Sequence, residues 1–443
     1  MARLPALRQR AGDASSDSFM KRIRLPSFSM EFWRRRFSIP LLITGLYLSI
    51  TVPQVFDTEL VTFNDKDEAR YHYITILDFR REWPKLDLIH YKSATTPLYH
   101  IVMAGISFLT GPDLIRLRLV HLLFGIACLL VIYRYLKLRI GRRKGALFSI
   151  LLLVSPYFIG PATRLSTDPA AFCFAALAIY ELDTQICCTC RPMRATGWIL
   201  LAALIRQVYA WLILFYILVY WLPKDGKTAD RSGFIRYLVP ILAPLCVMGY
   251  FLLAWGGLTP PLFAEHTKQH INGDVPVYVF SLFGLYSFFW AGHYLSWRRG
   301  FRIPMLFLAG MMLLSWIYLA VNPIFYMPKS GMGGLLWKLS DFLPKWHKTS
   351  ILFWLLFPLG IYTLTLFYLH LYRMKDFFLM TCFPMWLASN MLNTTIYQKY
   401  YDPFLFFFLG CGLQGSAPSG RRFLFLPLLL IVLFVGIMLM RSA

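Results

Sequence analysis

Asp65, Asp67 and Glu68 place three carboxylates within four residues, inside Phe63-Asn64-Asp65-Lys66-Asp67-Glu68-Ala69-Arg70-Tyr71-His72. A carboxylate held at the mouth of a helix bundle can take a proton from a hydroxyl or ligate a divalent cation. The same residues also suit a helix start, with Asn64 as the cap and acids in the first turn complementing the helix dipole; the two readings are compatible. A further acid, Asp168, ends Thr163-Arg164-Leu165-Ser166-Thr167-Asp168 ahead of Pro169, where Thr167 or Asp168 also suits a cap. Arg206-Gln207 interrupts the apolar stretch 196–222. A guanidinium among apolar residues requires a carboxylate partner or an anionic ligand, and its planar fork suits a phosphate. His266, Lys268 and His270 are spaced so that the two histidines share a helical face. With no third ligand specified, an anion- or sugar-contacting loop is the better reading than a metal pair. Lys329, Lys338, Lys345, His347, Lys348 and Lys399 add positive charge suited to a phosphate or pyrophosphate substrate.

These residues must be positioned by helices in a bilayer. Of 443 residues, 58% are hydrophobic and 15% charged, against about 45–50% apolar and about 25% charged in soluble domains. Apolar runs long enough to span the hydrocarbon recur along the chain, and in lipid a spanning run that satisfies its own backbone is a helix. The expected class is an all-α polytopic membrane protein with roughly 11–13 transmembrane helices and an acidic first outer loop. The net charge is +23. Its basic residues lie in short clusters between apolar runs (Arg34–Arg36, Lys137–Lys144, Arg191–Arg194, Lys224–Arg236, Arg298–Arg302, Arg373–Lys375 and Arg421–Arg422), the pattern of cytoplasmic loops rather than of nucleic-acid binding. The cysteines offer no metal-ligand spacing: Cys187, Cys188 and Cys190 flank a basic stretch, and the other five lie within apolar runs.

Placing every basic cluster in the cytoplasm orients the spans. Residues 1–36 form a basic cytoplasmic tail, 37–54 cross outward, and 55–97 form the outer loop. The run 97–111, ending at Gly111-Pro112-Asp113, is expected to be a short or re-entrant helix that leaves the chain outside. Residues 114–136 return, 145–161 cross outward, and 169–188 return. The stretch 196–222 is expected as two short arms meeting at Arg206, since a mid-helix charge in lipid is expensive. Later crossings are expected at 234–257, 276–296, 303–323, 349–372, 376–396, 403–416 and 423–440. Asp67, Asp168, His266, His270 and Lys399 then share the outer face. Asn393-Thr394-Thr395 is a glycosylation sequon close to a membrane end.

In this order the residues resemble the GT-C glycosyltransferases, and within them the dolichyl-phosphate-glucose alpha-1,2-glucosyltransferase family of N-glycan precursor assembly. Asp67-Glu68 with Tyr71-His72 is similar to the family's first-loop Asp-Glu followed by a His, here one position later. Thr95-Thr96-Pro97-Leu98-Tyr99 and Leu117-Arg118-Leu119-Val120-His121 are similar to its next two segments. Ser166-Thr167-Asp168 stands where the family has Tyr-Thr-Glu, Arg206-Gln207 matches its Arg-Gln, and Gln398-Lys399-Tyr400-Tyr401-Asp402 resembles its late Gln-Lys.

The resemblance implies a GT-C fold, with a catalytic module over 37–236 and a C-terminal transmembrane module over 237–443. It implies inverting transfer of a hexose, glucose by family likeness, from a polyprenyl-phosphate sugar to a lipid-linked glycan or glycolipid. Asp67 would be the general base, with Glu68 and Asp65 as alternatives; Arg206, Gln207, Lys399 and His266 would bind the donor phosphate; Asp168, Arg164, His72 and His270 would orient the acceptor. No cofactor is required and a divalent metal is allowed. The partners are membrane lipids and the two lipid-linked substrates, not nucleic acid. The site would face away from the cytoplasm, in the ER membrane of a eukaryote or the inner membrane of a bacterium. The rival class is a transporter or flippase of lipid-linked or anionic substrates, which also uses broken helices and buried charges, although no two-half repeat is evident.

Overall fold

The structure is a computed structural model that describes residues 30–56, 67–183, 191–222, 231–266, 271–290, 305–326, 332–413, 430 and 432. It divides into two compact units, residues 1–42 and residues 43–443. In chain order the helices are α1 (Met30–Val55), α2 (68–82, a π-helical turn running into an α-helix), α3 (Leu98–Thr110), α4 (Leu114–Ile140), α5 (Arg142–Val154), α6 (Pro156–Thr163), α7 (Asp168–Leu182), α8 (Pro192–Ile205) and α9 (Trp211–Trp221). There follow α10 (Arg231–Leu238), α11 (Leu242–Trp255), α12 (Asp274–Ser287), α13 (Met305–Val321), α14 (Leu335–Phe342), α15 (Ile351–Arg373), α16 (Phe377–Asn390) and α17 (Asp402–Gly412). Strand is confined, among the described residues, to two short pairs: β1 (Met332–Gly333) parallel to β4 (Ile396–Tyr397), and β2 (Lys345–Trp346) antiparallel to β3 (Thr349–Ser350).

The fold is all-α, as its composition requires, and the chain is a multi-pass membrane protein. Four described helical stretches are long and apolar enough to cross a bilayer: Ser38–Val55, Leu114–Ile140, Gly233–Trp255 and Ile351–Arg373. Taken together, α5 and α6 are also long and apolar enough, but they bend by 63° within the crossing expected over 145–161. The cause is local: Pro156 cannot donate to the preceding turn, and Ser155 caps the new helix by accepting from the Tyr157 N–H at 3.4 Å. Other apolar helices, including α3, α8 and α17, are too short for a full crossing on their own. The first helix begins at Met30, earlier than the expected 37, and the expected span 423–440 lies outside the described residues except at 430 and 432.

Local chemistry sets the helix ends near the site. Gly111, at φ +88°, ends α3 with its N–H donating to the Ser107 carbonyl, and Asp113 starts α4 by accepting from the Arg116 N–H at 3.1 Å. This is the abrupt end the Gly-Pro-Asp turn predicts. Elsewhere α12 and α15 touch backbone to backbone: a Cβ on Gly360 would lie 1.8 Å from the Phe280 carbonyl oxygen, and one on Gly284 2.3 Å from that of Leu356. Small residues permit such packing, which holds helices together where lipid supplies no hydrophobic drive.

Two buried assemblies hold the bundle. Ile76, Phe79, Tyr91, Tyr99, Met103, Leu117, Leu165, Ile205 and Trp255 form one apolar core that joins α2 to α3, α4, α8 and α11. At the other end of α4 and α7, Arg139 donates to Asp183 at 2.6 Å and pairs with Asp376, while Tyr135 donates to Asp183 at 2.7 Å. Asp376 also caps α16 through the Leu379 N–H. Buried charges of this kind are tolerated only when fully paired.

Candidate active site

Asp67 is the N-terminal flank of α2 and makes no capping hydrogen bond with its side chain. That leaves its carboxylate available, and it accepts instead from Lys399 Nζ at 3.3 Å, with its side chain 55% exposed. Lys399 stands in a short 3-10 turn, Gln398–Tyr400, just ahead of α17. Burial works against the ammonium charge, but Tyr400 and Asp67 more than offset it and raise the Lys399 pKa.

Glu68, one residue on, has a different environment. Its carboxylate is buried and paired with the equally buried Arg118: Oε1 accepts from Arg118 Nε at 2.8 Å and from the Leu165 N–H at 2.8 Å, and Oε2 accepts from Arg118 Nη2. Arg118 also donates to the Val55 carbonyl at 3.2 Å. One ion pair thus ties the end of α1, the start of α2, the N-terminal part of α4 and the segment entering α7. Arg118 carries the same sequence signal as Arg206, an arginine inside an apolar run.

Asp168 opens α7 without capping it from Thr167, and accepts from the Ser166 hydroxyl at 3.1 Å. It forms an ion pair with Arg206. Arg206 sits where α8 ends, with extended backbone (φ −153°, ψ 112°), and its guanidinium lies 4.5 Å from the centre of the Tyr400 ring. The helix break expected there is present. Gln207 is occupied otherwise than its neighbour: its amide nitrogen donates to the Ala94 carbonyl at 2.7 Å and its oxygen accepts from the Thr96 N–H at 3.2 Å. With Thr96 donating to the Ala203 carbonyl at 2.7 Å, the Thr-Thr-Pro stretch is thereby fastened to the break in the helix.

Asp168, Arg206, Lys399 and Tyr400 line one cleft. Two cations, both already paired with carboxylates and flanked by a tyrosine ring, form its charged end. His72 stands behind them, partly buried, with Nδ1 at 2.9 Å from His100 Nε2 and the two rings stacked. Burial, then the nearby charges of Lys399 and Arg206, push His72 down to about 3, so its imidazole is neutral at physiological pH. His100 and His121 were not singled out from sequence; His121 donates from Nε2 to the Pro161 carbonyl at 3.0 Å and accepts from Tyr99 at 2.9 Å.

Asp65 and His270 lie outside the described residues, as does the side chain of His266, whose backbone closes the 3-10 turn Pro261–His266. Arg164 has extended backbone between α6 and α7, with its neighbour Leu165 held by Glu68. Among the described residues, no group of three or more His, Cys, Asp and Glu is placed to hold a metal ion.

No protein-family model matches the chain, and neither does any curated protein. Among solved structures, ArnT from Cupriavidus metallidurans bound to undecaprenyl phosphate is similar over 88% of this chain and 61% of its own, at 14% identity and a TM-score of 0.42. The same protein in the apo state is similar over 87% and 78%, at 14% identity and 0.36. The Archaeoglobus fulgidus oligosaccharyltransferase in the apo form is similar over 87% and 57%, at 11% identity and 0.36. The chain thus spans about three fifths of the length of ligand-bound ArnT and of the oligosaccharyltransferase.

Proposed function

We propose that the chain is an integral membrane glycosyltransferase of the GT-C kind. It transfers a hexose, glucose by family likeness, from a polyprenyl-phosphate donor to a lipid-linked glycan or glycolipid on the non-cytoplasmic face of the membrane. The observation that carries this reading is the convergence of Arg206 and Lys399, from distant parts of the chain, in one cleft beside Asp168, with Asp67 on Lys399.

In this reading the donor phosphate displaces Asp67 from Lys399 and takes part of the Arg206 fork, while Asp168 keeps the rest. Asp67 accepts the proton of the acceptor hydroxyl while that oxygen bonds to the anomeric carbon. The bond from that carbon to the phosphate oxygen breaks on the opposite face, its electron pair leaves with the phosphate, and configuration inverts. Arg206 and Lys399 stabilise the charge that grows on the leaving group, in a site already organised for it. Asp168 sets the guanidinium plane of Arg206. Both cations are supplied by side chains, so the scheme requires no metal.

The test is transfer by the purified protein offered polyprenyl-phosphate glucose, mannose, galactose and arabinose with a lipid-linked glycan, beside Asp67→Asn. Transfer by the wild type and a drop of about 10²–10⁴-fold in the variant supports the class, the donor and the base. Transfer by both moves the base to Glu68, Asp65 or Asp168. Absence of transfer, with lipid or solute movement in liposomes, replaces the reading with the transporter one.

A further inference from the structure

Lys399 is a point charge on a flexible four-carbon stem, so where its ammonium stands depends on how firmly its backbone is held. The segment that carries it is fastened from two sides. On one side, β1 pairs with β4, Trp337 Nε1 donates to the Ile396 carbonyl at 3.0 Å, and the Leu336 N–H donates to Gln398 Oε1 at 3.2 Å. Gly334, at φ +131°, permits this approach: a Cβ there would lie 2.4 Å from the Gln398 Cβ.

On the other side stands Asp402. It is fully buried, and its Oδ2 accepts from the Tyr286 hydroxyl of α12 at 2.6 Å and from Gln398 Nε2 at 3.1 Å. Gln398 Nε2 also donates to the Tyr286 hydroxyl at 3.1 Å, so the three side chains close a triangle. Gln398 immediately precedes Lys399, and neither it nor Asp402 lines the cleft. An acid in the first turn of α17 suits the helix dipole, but that role needs neither burial nor the tyrosine. Asp402 Oδ1 is buried without a partner, and no cation is among the hydrogen-bond partners of the carboxyl. A carboxyl kept at such a cost, where an apolar side chain would pack, points to a positional duty.

We propose that Asp402 is a positioning residue for the donor phosphate: through Gln398 and Tyr286 it fixes the turn that aims Lys399 at the cleft. The proposal rests on the glycosyl-donor reading above and deepens it, by naming what holds one of the two phosphate-binding cations in place. Asp402 touches neither phosphate nor sugar and takes no proton from either. Besides its bond to Asp67, Lys399 Nζ lies 5.4 Å from the ring centres of both Tyr397 and Tyr400, which belong to the same segment. A shift of that segment therefore carries the ammonium and its surroundings with it, and the bond to Asp67 across the chain is lost first.

The experiment measures equilibrium binding of undecaprenyl phosphate to the full chain in lipid nanodiscs. The variants are Asp402→Leu, Asp402→Asn, the milder Tyr286→Phe and Lys399→Met, with Asp402→Leu and Tyr286→Phe each also combined with Lys399→Met. Lys399→Met and Asp402→Leu are each expected to bind about tenfold more weakly than the wild type, and Tyr286→Phe about threefold. Asp402→Asn keeps an oxygen toward Tyr286 and Gln398 and is expected to match the wild type. In the Lys399→Met background, Asp402→Leu and Tyr286→Phe are expected to cost nothing further, because the group they position is gone. Undiminished losses in that background give Asp402 a purely structural part and overturn the proposal. Wild-type binding by both Asp402→Leu and Tyr286→Phe overturns it too, as does Asp402→Asn as weak as Asp402→Leu. If Asp402→Leu does not fold, Tyr286→Phe and its double variant decide by the same criteria. A wild type that does not bind undecaprenyl phosphate overturns the glycosyl-donor reading and the positioning role with it.

Discussion

Lys399 and Asp67 are separated by 332 residues of chain, yet Lys399 Nζ donates to Asp67 Oδ2 at 3.3 Å. The pair couples the residue proposed to take the acceptor's proton to a residue proposed to hold the leaving phosphate. Asp67→Asn is expected to lower kcat with little change in donor KM. Lys399→Met is expected to raise KM and to lower kcat by about 10²–10³-fold, as loss of one transition-state donor does. The double variant should lose less than the product of the two, since groups acting as a unit are non-additive. Steady-state transfer kinetics on the four proteins check this; fully multiplicative losses would uncouple the pair.

Asp168 forms an ion pair with Arg206, and in the proposed reaction an incoming phosphate competes with it for the guanidinium. Asp168→Asn is therefore expected to bind undecaprenyl phosphate several-fold more tightly while transferring sugar more slowly, because the guanidinium loses its orienting partner. Arg206→Lys should bind the lipid more weakly, since a point charge cannot replace the fork. Binding isotherms beside transfer rates decide this, and weaker lipid binding by Asp168→Asn would rule out the competition.

Glu68 and Arg118 are each 1% exposed and paired, and removing one partner strands the other charge. Glu68→Gln is expected to cost about 3–5 kcal/mol of stability. Replacing both, Glu68→Gln with Arg118→Met, should cost less than the two single changes summed. Thermal unfolding in detergent reads the outcome. A stable Glu68→Gln with full loss of transfer would instead move the base to Glu68.

His72 has its pKa pushed down to about 3 from the ordinary 6.5. The unfolded chain takes up a proton as pH falls below 6.5, whereas the native chain does not until about 3. The contribution of this residue to stability is thus fully present above pH 6.5 and is lost as pH falls toward 3. His72→Gln should flatten the decline in unfolding temperature across that window. It should also leave no missing limb in the transfer profile between pH 6.5 and 8, because the imidazole is neutral throughout.

The sequence alone determined the fold class and marked Asp168, Arg206 and Lys399, which meet in one cleft. Composition demanded a helical membrane protein, because only helices satisfy backbone groups in lipid one run at a time. Gly111-Pro112-Asp113 marked a helix end, and the charge at Arg206 marked a break, since both are local effects that a short window contains. Charge placed in an apolar run was equally visible at Arg118, whose buried partner Glu68 lay in the very motif read as catalytic. Tertiary structure alone decided which carboxylate meets which cation. It separated Asp67, exposed on Lys399, from its neighbour Glu68, locked on Arg118, although one peptide bond joins them. It also turned Gln207 toward the backbone of Ala94 and Thr96, and joined Tyr286 of α12 to Gln398 and Asp402. Nothing in local propensity encodes these choices: side chains one position apart at the start of α2 point in different directions, and what each meets is set by packing between helices far apart in the chain.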